Sequence, residues 1–142
     1  DILVSGTDIY VSGFEFNSVT SADAKYWKNG ISGNLTNGAY TAQAIHMAFS
    51  ASEIYIAGFE QASSSTNSKA TYWKNGGLIN ITNGSEKSAS SGIAVADNDI
   101  IICGYTKNSA TGKNIAQYWK NGVVMNLTTG VNDAKAYAVF LK

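Results

Sequence analysis

The chain has 142 residues, a formal net charge of zero from 10 basic and 10 acidic side chains, and 44% hydrophobic residues. That is enough chain for one ordinary domain with its own core, and its neutrality gives no electrostatic pull toward nucleic acid or anionic membranes. No apolar run is long enough to cross a bilayer as a helix, so neither nucleic-acid binding nor membrane insertion is expected.

The first element is a short apolar run, Ile2–Val4, followed by a strand, Asp8–Phe14 (DIYVSGF). A polar loop, Glu15–Asp23, leads to Ala24 and then to Tyr26-Trp27-Lys28-Asn29-Gly30, after which Asn34–Gly38 reads NLTNG. The same order then returns: strands over Ala42–Ser50, Glu53–Glu60, Lys69–Lys74 and Leu78–Thr82, with Tyr72-Trp73-Lys74-Asn75-Gly76 between the last two and NITNG at Asn80–Gly84. It returns once more, with ASSGIAVAD at Ala89–Asp97, DIIICGY at Asp99–Tyr105, Tyr118-Trp119-Lys120-Asn121-Gly122 and NLTTG at Asn126–Gly130. The pentapeptide recurs at a constant interval of 46 residues. Each unit therefore reads as four short strands at positions A, B, C and D, the units covering about 1–38, 39–84 and 85–130, with an extra strand of type A over 134–141.

Asn-Gly accepts the positive φ angles that a two-residue type I′ turn requires, so Asn29-Gly30, Asn75-Gly76 and Asn121-Gly122 are expected to close C–D hairpins. Successive side chains on a strand point to opposite faces, so the adjacent Tyr26-Trp27, Tyr72-Trp73 and Tyr118-Trp119 pairs put a large aromatic on both faces of strand C. Both aromatics are expected to be largely buried, which requires a sheet covered on two sides. Absence of proline, abundance of Ser, Thr, Asn, Gly and Tyr, and absence of a helical period point the same way, to an all-β protein. Four antiparallel strands per unit of ~40–50 residues is the pattern of β-propeller blades.

The blades, with VSGF/IAGF/ICGY, Ala-x-Tyr-Trp-Lys-Asn-Gly and Asn-Leu/Ile-Thr-x-Gly in fixed order, resemble the bacterial extracellular β-propeller repeat proteins frequent in Bacteroidetes. The resemblance covers all three units. It implies an exported protein, at the cell surface or in the periplasm, and brings no established activity. The sequence opens on Asp1 rather than Met, which reads as a processed product or an excised piece.

Propellers usually carry ~4–8 blades, so three blades leave open faces and unpaired strand edges. Two copies would complete a six-bladed homodimer, three copies a nine-bladed ring, and a longer array would supply the missing blades in the same chain; the homodimer is the reading adopted. Ile2 and Val4 fall in the column of Met47/Phe49 and Ile93/Val95, and so do Val139 and Leu141. Both ends thus encode strand A, and the longer C-terminal copy has the stronger claim to the place, reaching into the neighbouring chain's first blade.

For function, the B–C loops (Glu15–Asp23, Glu60–Lys69, Thr106–Asn114) are the longest and most polar connections, and on chain direction they share a face with the D–A connections. Asn17, Thr20, Ser64, Asn67, Asn108 and Thr111 are the candidate ligand-binding residues there, against a plainer reading as solvated hairpin ends. The tryptophans invite comparison with sugar-binding propellers, but no arginine is present to form an Arg–Trp clamp, and packing is the expected role. Lys28, Lys74 and Lys120 read as solvated turn residues that would form a basic belt on a closed ring, and Asp8, Glu53 and Asp99 as caps of the A–B turns. His46 and Cys103 occupy small-residue columns (Gly92/Ala138 and Ser12/Ala57), which suits neither a metal site nor a nucleophile. Asp97-Asn98-Asp99 reads as a tight turn rather than a calcium loop. The repeated Asn-x-Thr triplets match the glycosylation pattern, but their repetition on strand D marks them as structural. No catalytic constellation, cofactor or metal site is expected. The reading is a non-catalytic binding or scaffold module of unknown ligand, whose partners are a second copy and, beyond it, a glycan or surface protein, and the alternative is a carbohydrate-binding lectin with inter-blade or top-face loop sites.

Overall fold

The computed structural model describes residues 1–18 and 20–141. Twelve strands form three four-stranded antiparallel sheets, each in simple sequential order, with no helix among the described residues. Sheet 1 holds β1 (Ile2–Ser5), β2 (Asp8–Phe16), β3 (Ala22–Lys28) and β4 (Ile31–Asn34). Sheet 2 holds β5 (Tyr40–Ser50), β6 (Glu53–Ala62), β7 (Lys69–Lys74) and β8 (Gly77–Asn80), and sheet 3 holds β9 (Ser88–Ala96), β10 (Asp99–Lys107), β11 (Asn114–Lys120) and β12 (Val123–Asn126). The all-β reading and the four strands per unit hold, and the arrangement is compatible with propeller blades.

The Asn-Gly turns have the expected backbone. φ is positive at both central residues of every C–D hairpin: 50° and 82° at Asn29-Gly30, 50° and 83° at Asn75-Gly76, 51° and 83° at Asn121-Gly122, the type I′ signature that matches strand twist. Each turn asparagine also ties the hairpin to the start of strand B. Its side-chain oxygen accepts the N–H of Ile9, Ile54 or Ile100 at 2.9–3.0 Å, and its own N–H donates to the carbonyl of the same residue at 2.9 Å.

The Asn-x-Thr triplets end strand D in the same way three times. The hydroxyls of Thr36, Thr82 and Thr128 accept the N–H of Ala24, Ala70 and Ala116 at 3.0–3.1 Å. The neighbouring Leu35, Ile81 and Leu127 N–H groups donate to the carbonyls of those alanines. The threonine thus replaces a ladder hydrogen bond where the chain turns away.

Consecutive sheets pack face to face through two hydrophobic clusters. Between sheets 1 and 2 lie Ala24 and Leu35 against Ala42, Ala44, Met47, Ile56 and Trp73. Between sheets 2 and 3 lie Tyr55, Ala57 and Ala70 against Ile93, Ile102 and Trp119. Trp73 and Trp119 therefore face the preceding sheet, while the tyrosine of the unit before packs from the other side of each junction: Tyr26 against the first cluster and Tyr72 against the second. Trp73 and Trp119 are fully buried, but Trp27, Tyr26, Tyr72 and Tyr118 are only half-buried. The expected burial is therefore complete only at Trp73 and Trp119 and partial at the other four. Trp27 has no preceding sheet to cover it, and Tyr118 no following one, among the described residues.

Strand A carries a bulge in both complete copies, where Ile45 of β5 and Ser91 of β9 lack partners in the ladder. With the bulge, β5 buries residues at an i, i+2, i+5 spacing, Ala42, Ala44 and Met47; the matching Ser88, Ser90 and Ile93 of β9 are buried as well, together with Ala89, Gly92 and Ala94. Residues 134–141, expected to form a further strand, carry no ladder, because no B strand lies beside them to pair with.

Candidate functional site

The pentapeptide lysines are not free. Lys28 Nζ lies 2.7 Å from Asp8 Oδ2, Lys74 Nζ 2.9 Å from Glu53 Oε2 and Lys120 Nζ 2.7 Å from Asp99 Oδ2. Asn29 and Asn121 add a second hydrogen bond to the same aspartates at 2.8 and 2.9 Å. The lysine and asparagine beside each carboxylate hold Asp8 and Asp99 below the usual carboxylate range, and Lys74 with Tyr55 does the same for Glu53. On sequence the carboxylate column reads as A–B caps and the lysine column as solvated turn residues that would form a positive belt on a closed ring. The lysines are solvent-accessible beside the turn, but the cap and the belt are corrected: the two columns neutralise one another across the B–C ladder. The A–B turn is made instead by a positive φ at Gly6, Ala51 and Asp97, so the tight-turn reading of Asp97-Asn98 holds.

At the opposite end of the sheets, the B–C loops do lie against the D–A connections. The Thr41 hydroxyl donates to the Thr20 carbonyl at 3.2 Å, Asn67 Nδ2 to the Ser85 carbonyl at 2.9 Å, and the Thr111 hydroxyl to the Gly130 carbonyl at 2.7 Å. Asn17 Nδ2 donates to Asp23 at 3.0 Å, and Asn108 Oδ1 accepts the Ala110 N–H at 2.9 Å. Among the candidate ligand-binding residues, Asn17, Asn67, Asn108 and Thr111 thus direct side-chain hydrogen bonds inside the protein, and Thr20 offers its carbonyl. Ser64 lies exposed at the tip of its loop. The structure brings these six residues to one end of the molecule without converging them on one point.

Concave surface lies instead between sheets, and it repeats. A groove of about 410 Å³ between sheets 1 and 2 is lined by Leu35, Thr36, Asn37, Tyr40, Glu60 and Leu78. A groove of about 430 Å³ between sheets 2 and 3 is lined by their counterparts in the next unit, Ile81, Thr82, Asn83, Glu86, Thr106 and Val124. The first contains Glu60, a mostly buried carboxylate whose pKa is raised by that burial, with Lys69 pulling the other way. The exposed ring of Tyr40 stands on the same groove. Sequence reasoning places Glu60 at the start of a loop and misses this role, because the groove exists only once two units are stacked.

His46 is half-buried on strand A. Its Nδ1 accepts the Ile93 N–H at 3.4 Å across the sheet 2–3 junction, and burial, with help from the N-terminal ammonium, lowers its pKa. Asp1 makes the equivalent contact at the sheet 1–2 junction, its Oδ2 accepting the Met47 N–H at 2.9 Å. Cys103 is buried, and burial raises its thiol pKa, as expected of an unreactive core thiol.

The two outer faces of the stack differ most from the interior. Met47 and Ile93 are 2% and 1% exposed, while Ile2 in the same column is 64% exposed. On the other side, Leu35 is 8% exposed and its counterpart Leu127 is 58% exposed. Blade-type side chains such as Ile2 and Leu127 are thus exposed on the two outer faces, although residues 134–138 lie over part of sheet 3. No family model matches the chain, and no curated protein compared with it is similar.

Proposed function

We propose that the chain is a non-catalytic β-propeller module for binding or scaffolding, in which two copies of three blades complete a six-bladed ring. The observation that carries this is the repeated junction. One set of columns, Trp/Ile/Met from one sheet against Ala/Leu from the sheet before it, is buried between sheets 1 and 2 and again, with conservative changes, between sheets 2 and 3. The outer face of sheet 1 offers the first half of that set (Trp27, Val11, Ile2), and the outer face of sheet 3 offers Leu127 from the second, its Ala116 being already buried. A twofold arrangement satisfies both faces with two identical junctions. The pairing of each repeated carboxylate with a lysine favours scaffold over acid–base chemistry. Residence outside the cytoplasm, at the cell surface or in the periplasm, belongs to the proposal and rests on the resemblance of the repeats. Small-angle scattering tests the ring: a closed disc is expected, and a half-disc profile would refute it.

The inter-sheet grooves favour a second reading, carbohydrate binding. An aromatic face beside a carboxylate and amides, as Tyr40, Glu60 and Asn37 present, suits a polyhydroxylated ligand, and ring closure would multiply such grooves around the disc. A glycan array separates the two readings. Specific binding that is lost in Tyr40→Ala and Glu60→Gln would establish the lectin, and a blank array would leave the scaffold.

A further inference from the structure

The outer faces carry a more specific instruction than exposed apolar area, and it concerns residues 134–141. These residues have no ladder, yet they repeat the buried pattern of strand A. Ala134, Ala136 and Val139 are half-buried while Lys135, Tyr137, Ala138 and Phe140 are exposed, the i, i+2, i+5 spacing that β5 shows with its bulge. The break falls at Tyr137, the counterpart of the bulge residues Ile45 and Ser91.

The segment is also docked as a strand A would be. The Ala134 N–H donates to the Asn114 carbonyl at 3.0 Å, as the Ser88 N–H of β9 does to the Ser68 carbonyl at 3.0 Å in the preceding unit. The Ala136 N–H reaches the Gly104 carbonyl at 3.3 Å, where the Ser90 hydroxyl reaches the Gly58 carbonyl at 2.6 Å. It crosses directly over Gly92, where an added Cβ would come within 3.1 Å of Ala138 Cα. Residues 134–141 therefore already lie on sheet 3 in the place of a following blade's first strand, with the strand-B side of the backbone unpaired.

Sheet 1 has the matching deficiency. β1 pairs with β2 from Ser5↔Asp8 to Ile2↔Val11, and Asp1 extends this by exchanging backbone hydrogen bonds with Ser12 at 2.9 and 3.3 Å. Beyond Ser12 the edge of β2, Gly13–Phe16, has no strand A beside it among the described residues. In sheet 2 the corresponding edge is covered by Ala42↔Glu60, Gln43↔Phe59 and Ala44↔Gly58, and in sheet 3 by Ser88↔Thr106, Ala89↔Tyr105 and Ser90↔Gly104. Transferring that register gives Ala134↔Glu15, Lys135↔Phe14 and Ala136↔Gly13.

Resting on the six-bladed reading, we infer that residues 134–137 of one copy complete the first sheet of a second copy by adding to the β2 edge at Gly13–Phe16, and that the hand-over to the second copy's own Asp1 falls at the bulge residue Tyr137. The occupant is a second copy because the register, the bulge and the small residues at 134 and 136 all come from this chain's own strand A. No unfolding is needed, since the segment stays on its own sheet 3 and offers only its free edge. Edge-to-strand addition of this kind supplies main-chain hydrogen bonds together with side-chain register.

Gly13 supplies an internal check. An added Cβ at Gly58 or Gly104 would strike a strand A carbonyl, Gln43 O at 1.9 Å or Ala89 O at 2.1 Å, whereas at Gly13 it meets only the Trp27 ring at 3.3 Å. The glycine is needed at 58 and 104 because strand A passes there, and at Gly13 it clears the path for Lys135 of the second copy.

The test uses the full chain with Cys103→Ser, a residue type the Ser12 column already accepts. Phe14→Cys and Lys135→Cys are made as separate single variants, mixed, and oxidised with diamide. Directly opposed cross-strand positions allow a disulfide to close, so a covalent heterodimer is expected from the mixture and not from Phe14→Cys alone. Gly13→Ala in the native chain should keep the far-ultraviolet spectrum and raise the dimer dissociation constant at least tenfold. A dimer in solution that gives no Phe14–Lys135 cross-link and tolerates Gly13→Ala would overturn the hand-over and leave the six-bladed reading standing. A monomer would overturn both.

Discussion

Trp73 and Trp27 stand at the same place in two copies of one unit, with the same Lys-Asn-Gly turn after them, and their surroundings differ completely. Trp73 lies against Ala24 and Leu35 of the preceding sheet and is 0% exposed; Trp27 looks out over an open face and is half-buried. The residues behind the two rings correspond, Val11 to Ile56 and Ile2 to Met47, so local sequence does not explain the difference. The neighbour does. In a stack of quasi-identical units, each buries its apolar face only against the next, and the end units show the surface that every unit would have alone. The outer faces carry the same columns that the internal junctions bury.

The largest expected contrast uses this comparison directly. Trp73→Ala and Trp119→Ala should each cost about 3–5 kcal/mol, as full truncation of a buried aromatic does, read from urea unfolding at low protein concentration. Trp27→Ala should cost much less under those conditions, and should instead weaken self-association. Equal losses at all three positions would show that the first face is not a junction surface.

Next is the glycine column. Gly58→Ala and Gly104→Ala force a backbone carbonyl aside and should destabilise by roughly 1–3 kcal/mol, the usual cost of overpacking, with a drop in melting temperature as the readout. Gly13→Ala should leave the melting temperature of the dilute chain almost unchanged. A smaller and uniform effect is expected at the turns. Asn29→Ala, Asn75→Ala and Asn121→Ala each lose a hydrogen bond to strand B and a residue that tolerates positive φ, at about 1–2 kcal/mol apiece. Here the open and closed units should behave alike, since the turns lie outside the junctions.

Smallest is the pH response of Glu60. Its pKa is raised by burial, so the folded state binds the proton more tightly than the unfolded chain, and stability from this group falls as pH rises through the carboxylate range. Glu60→Gln should therefore melt slightly higher than the native chain at pH 7, with the advantage disappearing as the pH drops through that range. Asp8, Glu53 and Asp99, half-buried and solvent-accessible, have lowered pKa values and work in the opposite sense. Their contribution is present above the ordinary carboxylate pKa and lost as pH falls below it, and solvent screening keeps it small.

Much of this architecture is legible in the sequence. Asn-Gly after Tyr-Trp-Lys fixes the C–D turn, and the repeat interval fixes the number of sheets, because both rest on local backbone preference and simple periodicity. The lysine–carboxylate pairs were not legible. Lys28 meets Asp8 only through the β2–β3 register, which pairs Tyr10 with Lys28 and so sets the two charges on adjoining positions. The same holds for the loop residues. Asn67 and Thr111 look free in a polar stretch, and their hydrogen bonds go to the connection after strand D, 17–19 residues on. The candidate groove at Tyr40 and Glu60 was hidden for a related reason, as its walls come from two sheets. The duplicated strand A at the two ends could be read from column alignment, while its point of hand-over required the bulge and the hydrogen bonds of residues 134–136.

The proposed six-bladed ring requires the outer faces of sheets 1 and 3 to meet in a second copy, and sedimentation equilibrium on the unaltered 142-residue chain at micromolar concentration decides whether they do. A single species at twice the chain mass, shifting toward monomer in Gly13→Ala, is the predicted result, and a stable, soluble monomer across that range would contradict it.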